Sequence, residues 1–148
     1  MKKKVILFVG ILLFFAGSIS AQIRSIPKVV EETFTSQYKD ATNVQYRDEL
    51  VRVDVSFTLN DEKMMATYSN KGVWKETKKE WTFDQLSPEV KDGFQKSKYA
   101  DREVEETMVI YLPGGSEQYR ILAKKNDVDK RYLYFNTKGR LLRSSITL

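Results

Sequence analysis

The sequence predicts an α+β fold: two helices packed on one face of a single antiparallel sheet of about eight strands. Three observations lead there. A helix-opening pattern occurs twice, 60 residues apart, so that Val30 matches Val90 and Phe34 matches Phe94. A run of apolar–polar alternation follows each opening. Each half then turns through an Asn-containing segment that ends in Lys-Gly, at Asn70-Lys71-Gly72 and Asn136-Thr137-Lys138-Gly139. A helix followed by hairpin-linked strands covers one face of its sheet. One such unit of about 60 residues is marginal alone, whereas two units sharing a sheet bury a larger core.

The chain opens on a segment outside this scheme. Lys2, Lys3 and Lys4 precede an apolar run from Val5 to Ala16, and small residues lead to Ala21 before Gln22. This is the layout of a secretory signal peptide, with cleavage expected after Ala21. The apolar run is about 12 residues, short of the about 20 that span a bilayer. Removing residues 1–21 of the 148 takes away three lysines and no acid, so the formal charge falls from +5 to +2. That near-balance argues against a nucleic-acid partner, which requires a basic patch. Processing also leaves no stable membrane anchor. The expected location is exported, in the periplasm first and secreted second. The expected organisation is a signal peptide at 1–21, a first repeat at 22–85 and a second at 86–148, the two repeats forming one domain with a shared core.

Helices are expected at about 26–38 and 87–98. Val30, Phe34 and Tyr38 are spaced i, i+4, i+8, which makes one apolar stripe. Val90 and Phe94 begin the same stripe, and Tyr99 falls one residue out of register. Each helix carries Pro near its start, where it is tolerated, and Ser87 suits an N-cap. Val51, Val53, Val55, Phe57 and Leu59 alternate with polar residues in a half-buried strand. Tyr119, Ile121 and Ala123 are its counterpart. The hairpin before that strand is longer in the second half, where Pro113-Gly114-Gly115-Ser116 supplies strong turn chemistry. Asn60-Asp61-Glu62 and Asn126-Asp127-Val128-Asp129 turn between the middle strands. Trp74 then aligns with Leu141, Thr77 aligns with Ser144, and Lys78 to Gln85 links the halves.

The paired openings I-P-x-x-V-x-x-x-F at Ile26 to Phe34 and L-S-P-x-V-x-x-x-F at Leu86 to Phe94 resemble those of the PepSY-like, β-lactamase-inhibitor-like family of small exported bacterial proteins. So do Tyr38 to Ala41 with Val44 and Tyr46, and the hairpins at Tyr68 to Trp74 and Phe135 to Leu141. The resemblance covers roughly residues 25–147. It implies the two-repeat fold, a location outside the cytoplasm and a binding or inhibitory role. The chain has no Cys for the disulfides of the inhibitor prototype and no match to its inhibitory loop. Activity against a β-lactamase therefore does not carry over.

The absence of Cys and His excludes the common zinc sites, the Ser-His-Asp triad, the Cys-His dyad, disulfides and a lipoprotein anchor. Chemistry would have to use carboxylates, Lys, Tyr or Ser. No cofactor, metal or catalytic residue is expected. The favoured function is a non-enzymatic envelope protein that recognises a protein or peptide through the open sheet face or the hairpin tips. Alternation places Leu133 and Phe135 in the core and Tyr132 and Tyr134 on the open face, beside Arg120, Leu122, Arg52 and Met65. Tyr and Arg on a rigid surface are typical interface anchors; ordinary cross-strand packing is the alternative. Asp54, Thr67 and Lys124 are expected on the same face. The acidic turn Asn126 to Asp129 lacks calcium-loop spacing and is read as a turn. Trp74 is read as core, and Asp101, Glu103, Glu105 and Glu106 as solvent-facing. A glycan hydrolase built on such carboxylates is the competing reading, since glycosidases need two of them flanking a cleft.

Overall fold

The computed structural model describes residues 25–147. The expected cleavage after Ala21 lies outside them. In chain order the described elements are α1 (Lys28–Gln37), β1 (Thr42–Asp48), β2 (Arg52–Leu59), β3 (Glu62–Ser69), β4 (Trp74–Trp81), α2 (Pro88–Gln95), β5 (Glu103–Leu112), β6 (Ser116–Lys124), β7 (Lys130–Asn136) and β8 (Leu141–Ile146). A 3-10 turn at Pro113–Gly115 joins β5 to β6. Helix followed by four strands thus occurs twice. The strands form one eight-stranded sheet in chain order, and every neighbouring pair is antiparallel.

The register settles which residues share a face. Val55, Ala66, Thr77 and Tyr111 stand opposite one another across β2 to β5. Trp81, Thr107, Ile121 and Leu133 do the same across β4 to β7. Because Thr77 and Trp81 lie four residues apart on one strand, both rows point the same way. Val30 and Phe34 of α1 pack on Val53, Val55, Phe57, Ala66 and Tyr68. Val90 and Phe94 of α2 pack on Ile121, Ala123, Leu133 and Phe135. Both helices therefore cover one face, and the other is free of helix. Among the described residues no helix is long and apolar enough to cross a membrane.

Both helices are shorter than the sequence predicts. At Tyr38 the backbone leaves helical geometry, with φ −125° and ψ 68°. In α2 the Ser97 hydroxyl donates to the Phe94 carbonyl at 2.7 Å and ends the helix. The chain then folds back, so Tyr99 is buried despite being out of register with the helical stripe. Tyr38 shares a 2.6 Å hydrogen bond with the Thr77 hydroxyl, and the Tyr99 hydroxyl donates to Ser144 at 3.0 Å. Each tyrosine thus ties the end of its helix to the last strand of its half. Ser87 caps α2 by accepting from the Val90 amide, while Pro27 leaves α1 without a side-chain cap. Asn60 and Asp61 both take positive φ, as a two-residue type I′ hairpin requires. Trp74 is half-buried rather than core. It lies against the first cluster and donates from Nε1 to Thr77 Oγ1 at 2.9 Å.

Candidate functional site

The helix-free face is built by the residues that alternate with the core. From the first half it carries Arg52, Asp54 and Ser56 of β2, Met65 and Thr67 of β3, and Glu76, Lys78 and Glu80 of β4. From the second it carries Glu106, Met108 and Ile110 of β5, Arg120 and Leu122 of β6, Tyr132 and Tyr134 of β7, and Arg143 of β8. A groove of about 480 Å³ crosses the first half of this face, lined in part by Gln45, Ser56, Lys63, Met65, Lys78 and Met108. Met65 and Met108 give it thioethers, and Lys63, Lys78 and Glu80 give it charge. Methionine adapts to partners of different shape because its side chain is unbranched and polarisable.

Four of the six residues expected here come together. Arg120 stands opposite Met108 on one side and Tyr134 on the other, and Leu122 stands opposite Glu106 and Tyr132. The Arg120 guanidinium donates to Glu106 Oε1 at 2.5 Å and to Met108 Sδ at 2.9 Å, and lies 4.5 Å over the Tyr132 ring. Arg143 lies 3.5 Å over the Tyr134 ring. The result is an interleaved arginine–tyrosine ladder, in which each cation rests on an aromatic face. Met65 lies in the groove, three strands from Arg120. Arg52 is separate from both, and bonds Asp54 at 3.3 Å.

Two expectations of exposure need correction. Tyr134 is only 9 % exposed, because the Arg143 side chain covers its ring. Asp54 is 3 % exposed, and Thr67 is buried beside it. Thr67 Oγ1 donates to Asp54 Oδ1 at 2.8 Å, and Arg47 and Arg52 close over the carboxylate. A sheet face without helices is therefore still partly roofed, by its own long side chains. Sequence reasoning missed Met108, Ile110 and Arg143. The alternation of β5 carries the first two, behind an acidic start that reads as solvent-facing.

Several carboxylates near this face are engaged by cations. Lys130 and Lys124 bond Glu105 at 2.8 and 3.3 Å and hold its carboxyl below the ordinary range, the Lys130 bond contributing most. Glu105 is thus paired rather than simply solvent-facing. Asp127 is held low by its bond from Lys124. Asp129 is held low by two bonds from Arg102, at 3.0 and 2.9 Å. The acidic turn is an Asx turn, in which Asn126 Oδ1 accepts from the amides of Val128 and Asp129.

The chain matches no known family model and none of the curated proteins. Among solved structures it is similar to a DUF2874 family protein from Bacteroides ovatus, with a TM-score of 0.75 and 22% identity over 83% of this chain and 89% of that one. It is similar to a BLIP-like protein from Bacteroides fragilis, with a TM-score of 0.74 and 18% identity over 85% and 89%. A candidate periplasmic protein from Bacteroides eggerthii gives a TM-score of 0.73 and 20% identity over 83% and 90%. These likenesses show that the fold is BLIP-like.

Proposed function

We propose that this chain is an exported, non-enzymatic binding protein of the cell envelope, inhibitor-like in mode, that holds a protein or peptide partner across the helix-free sheet face. The observation that carries this reading is the continuity of that face: a methionine groove in the first half runs into the arginine–tyrosine ladder of the second. Such a surface combines an apolar floor with oriented donors, as interface cores do. The candidate periplasmic protein and the BLIP-like protein among the structural neighbours support export and partner binding. The signal-peptide pattern of residues 1–21 supports export independently.

The same reading treats the halves, 22–85 and 86–148, as copies of one PepSY-like unit. Equivalent burial of Val30 with Val90 and of Phe34 with Phe94 supports this, and so do the matching bonds from Tyr38 to Thr77 and Tyr99 to Ser144. A glycan hydrolase would need one carboxyl raised to act as the acid. Of the acidic group such an enzyme would use, Glu105 is held low, chiefly by its bond from Lys130, and Glu106 is bonded by Arg120.

The test starts from a partner captured from envelope extract and identified. Tyr132→Ala combined with Met108→Lys then alters both parts of the face and leaves the helix-covered core alone. Affinity for that partner is expected to fall at least thirtyfold, the equivalent of about 2 kcal/mol at a hot spot. Unchanged affinity in a folded double variant would reject the sheet face as the site.

A further inference from the structure

We infer that two copies of this chain pair antiparallel along β8 and join their sheets into one. A sheet laid out in chain order has two edges, here β1 and β8. Edge strands offer unpaired N–H and C=O groups to any strand that can align with them, and native proteins guard them. β1 is guarded. A bulge interrupts it between Thr42 and Gln45, Asn43 takes a left-handed φ of 53°, and Arg47 and Asp48 put charge at its far end. β8 holds no Pro and no Lys, and its irregularity comes at its start, before Arg143. Arg143 is its single charge and is drawn back over the Tyr134 ring.

The hydrogen-bond phase of β8 tells which groups face outward. The Thr147 amide donates to the Lys130 carbonyl at 3.3 Å. Along an antiparallel ladder, residues that bond their partner alternate with residues that do not. Ser145 and Arg143, opposite Tyr132 and Tyr134, therefore also direct their amides and carbonyls to β7. Ser144 and Ile146 direct theirs away from the sheet. The Ile146 side chain is 60 % exposed beside this open backbone.

The occupant is a second copy because the strand is complementary to itself. In a two-fold antiparallel pair centred on Ser145, Ser144 of each copy stands opposite Ile146 of the other. The outward amides and carbonyls then meet in hydrogen-bonded pairs, all beyond the irregular start of the strand. Ser145 meets Ser145 on the axis and Arg143 stands opposite Thr147, so no charge faces a like charge. A shift of two residues toward the start of the strand would call on Leu142, inside the irregular stretch. The bulge in β1 breaks the ladder that a copy's β8 would need there, so like edge meets like edge. Such an isologous contact closes at two copies instead of growing into a filament. This contact is separate from the partner proposed for the sheet face.

The experiment follows the exported protein by sedimentation equilibrium, where wild type is expected as a dimer. Ile146→Pro removes one outward amide and leaves the bonds to β7 in place, and Ile146→Lys puts a charge on the edge. Each should weaken association at least about tenfold, with melting temperatures near that of wild type showing that the variants fold. The chain has no Cys, so a single introduced one reports the register. Ser145→Cys should link two copies through a disulfide at least about tenfold faster than Thr147→Cys, because only the axial pair brings its Cβ atoms within bonding reach. Wild type that is monomeric at every soluble concentration would overturn the inference, as would a dimer that survives both Ile146 variants. Equal linking at Ser145 and Thr147 would overturn the two-fold pairing. A monomeric wild type whose Ile146→Lys variant loses a captured envelope partner would overturn it in favour of a foreign strand on this edge.

Discussion

The two halves share an element order and close their cores in different ways. In the first, rings fill the space between helix and sheet. Phe34 lies within ring-contact distance of Tyr38, Tyr46, Phe57 and Tyr68. In the second, Phe94 meets the ring of Phe83, and the cluster also holds Tyr99, Phe135, Trp81 and Tyr119. The second half adds a closer approach of backbones. A Cβ on Gly93 would overlap the Gly139 carbonyl, and one on Gly139 would overlap the Glu89 carbonyl. The first half has Thr33 where α2 has Gly93, and its turn glycine, Gly72, touches mainly the Val29 and Thr33 side chains. One topology thus accepts two solutions to close packing, bulky side chains at a stand-off or small residues in contact.

Truncating the two matching phenylalanines gives the largest expected effects. Phe→Ala at a buried site costs about 3–5 kcal/mol. Phe34→Ala should fall at the upper end, because each lost aromatic pair adds about 0.5–1.5 kcal/mol. Phe94→Ala should fall at the lower end. Urea denaturation of each variant measures both. Equal losses would erase the contrast between the cores, and a loss below about 1 kcal/mol at both sites would undo the correspondence of the helices.

The glycines come next, with the order of the halves reversed. Gly139→Ala must push the turn away from α2 and also hold alanine at φ 75°. Overpacking costs about 1–3 kcal/mol and the left-handed backbone about 1–2, so a loss of about 3 kcal/mol is expected. Gly72→Ala has the same backbone problem at φ 76° and meets the Val29 side chain and carbonyl at 2.8 and 3.0 Å, less severe than the 1.9 Å approach at Gly139. About 1–2 kcal/mol is expected there. Matching thermal shifts for the two variants would mean that the close approach in the second half yields easily.

Most of this was legible along the chain where the pattern is periodic or the turn chemistry specific. The alternation of Val53, Val55 and Phe57 declared both the strand and its buried side. Asn60-Asp61 and the two Lys-Gly turns declared their hairpins, because few residues accept positive φ. What escaped depends on contacts distant in sequence. Nothing local to Tyr134 says that Arg143, on the next strand, will cover it. Gly93 reads as a weak point in a short helix, and its use appears only when Gly139 is placed beneath it. Of the site, the face of Arg120, Leu122 and Tyr132 followed from period two. The groove at Met65 and Met108 required the order of strands across the sheet, which alternation within one strand does not contain.

The smallest effect, and the one that best separates the halves, is their response to pH. The raised groups of the first half are phenols. Tyr38, Tyr46 and Tyr68 are all pushed above the ordinary tyrosine value, chiefly by burial. A group raised on folding supports the native state fully below its unfolded value, about 10 for tyrosine, and loses that support as pH climbs toward the folded value. In the second half three carboxyls are lowered, Glu105, Asp127 and Asp129, through bonds from Lys130, Lys124 and Arg102, and the Tyr99 phenol is lowered as well, chiefly by its hydrogen bond with Ser144. The support of the carboxyls is present above the unfolded value, about 4, and is lost as pH falls through the folded one. Tyr119 is raised as well, so the second half has some alkaline sensitivity. The first half should loosen first in alkali and the second first in acid. The two tryptophans make this measurable, since Trp74 packs on the first cluster and Trp81 on the second. With Trp74→Phe leaving Trp81 as reporter, and the reverse, fluorescence is followed from pH 7 in both directions. The Trp81 signal should move first on acidification and the Trp74 signal first above about pH 10. If both reporters move together at both extremes, the shared sheet makes one cooperative unit, and the contrast between the halves is one of packing and not of stability.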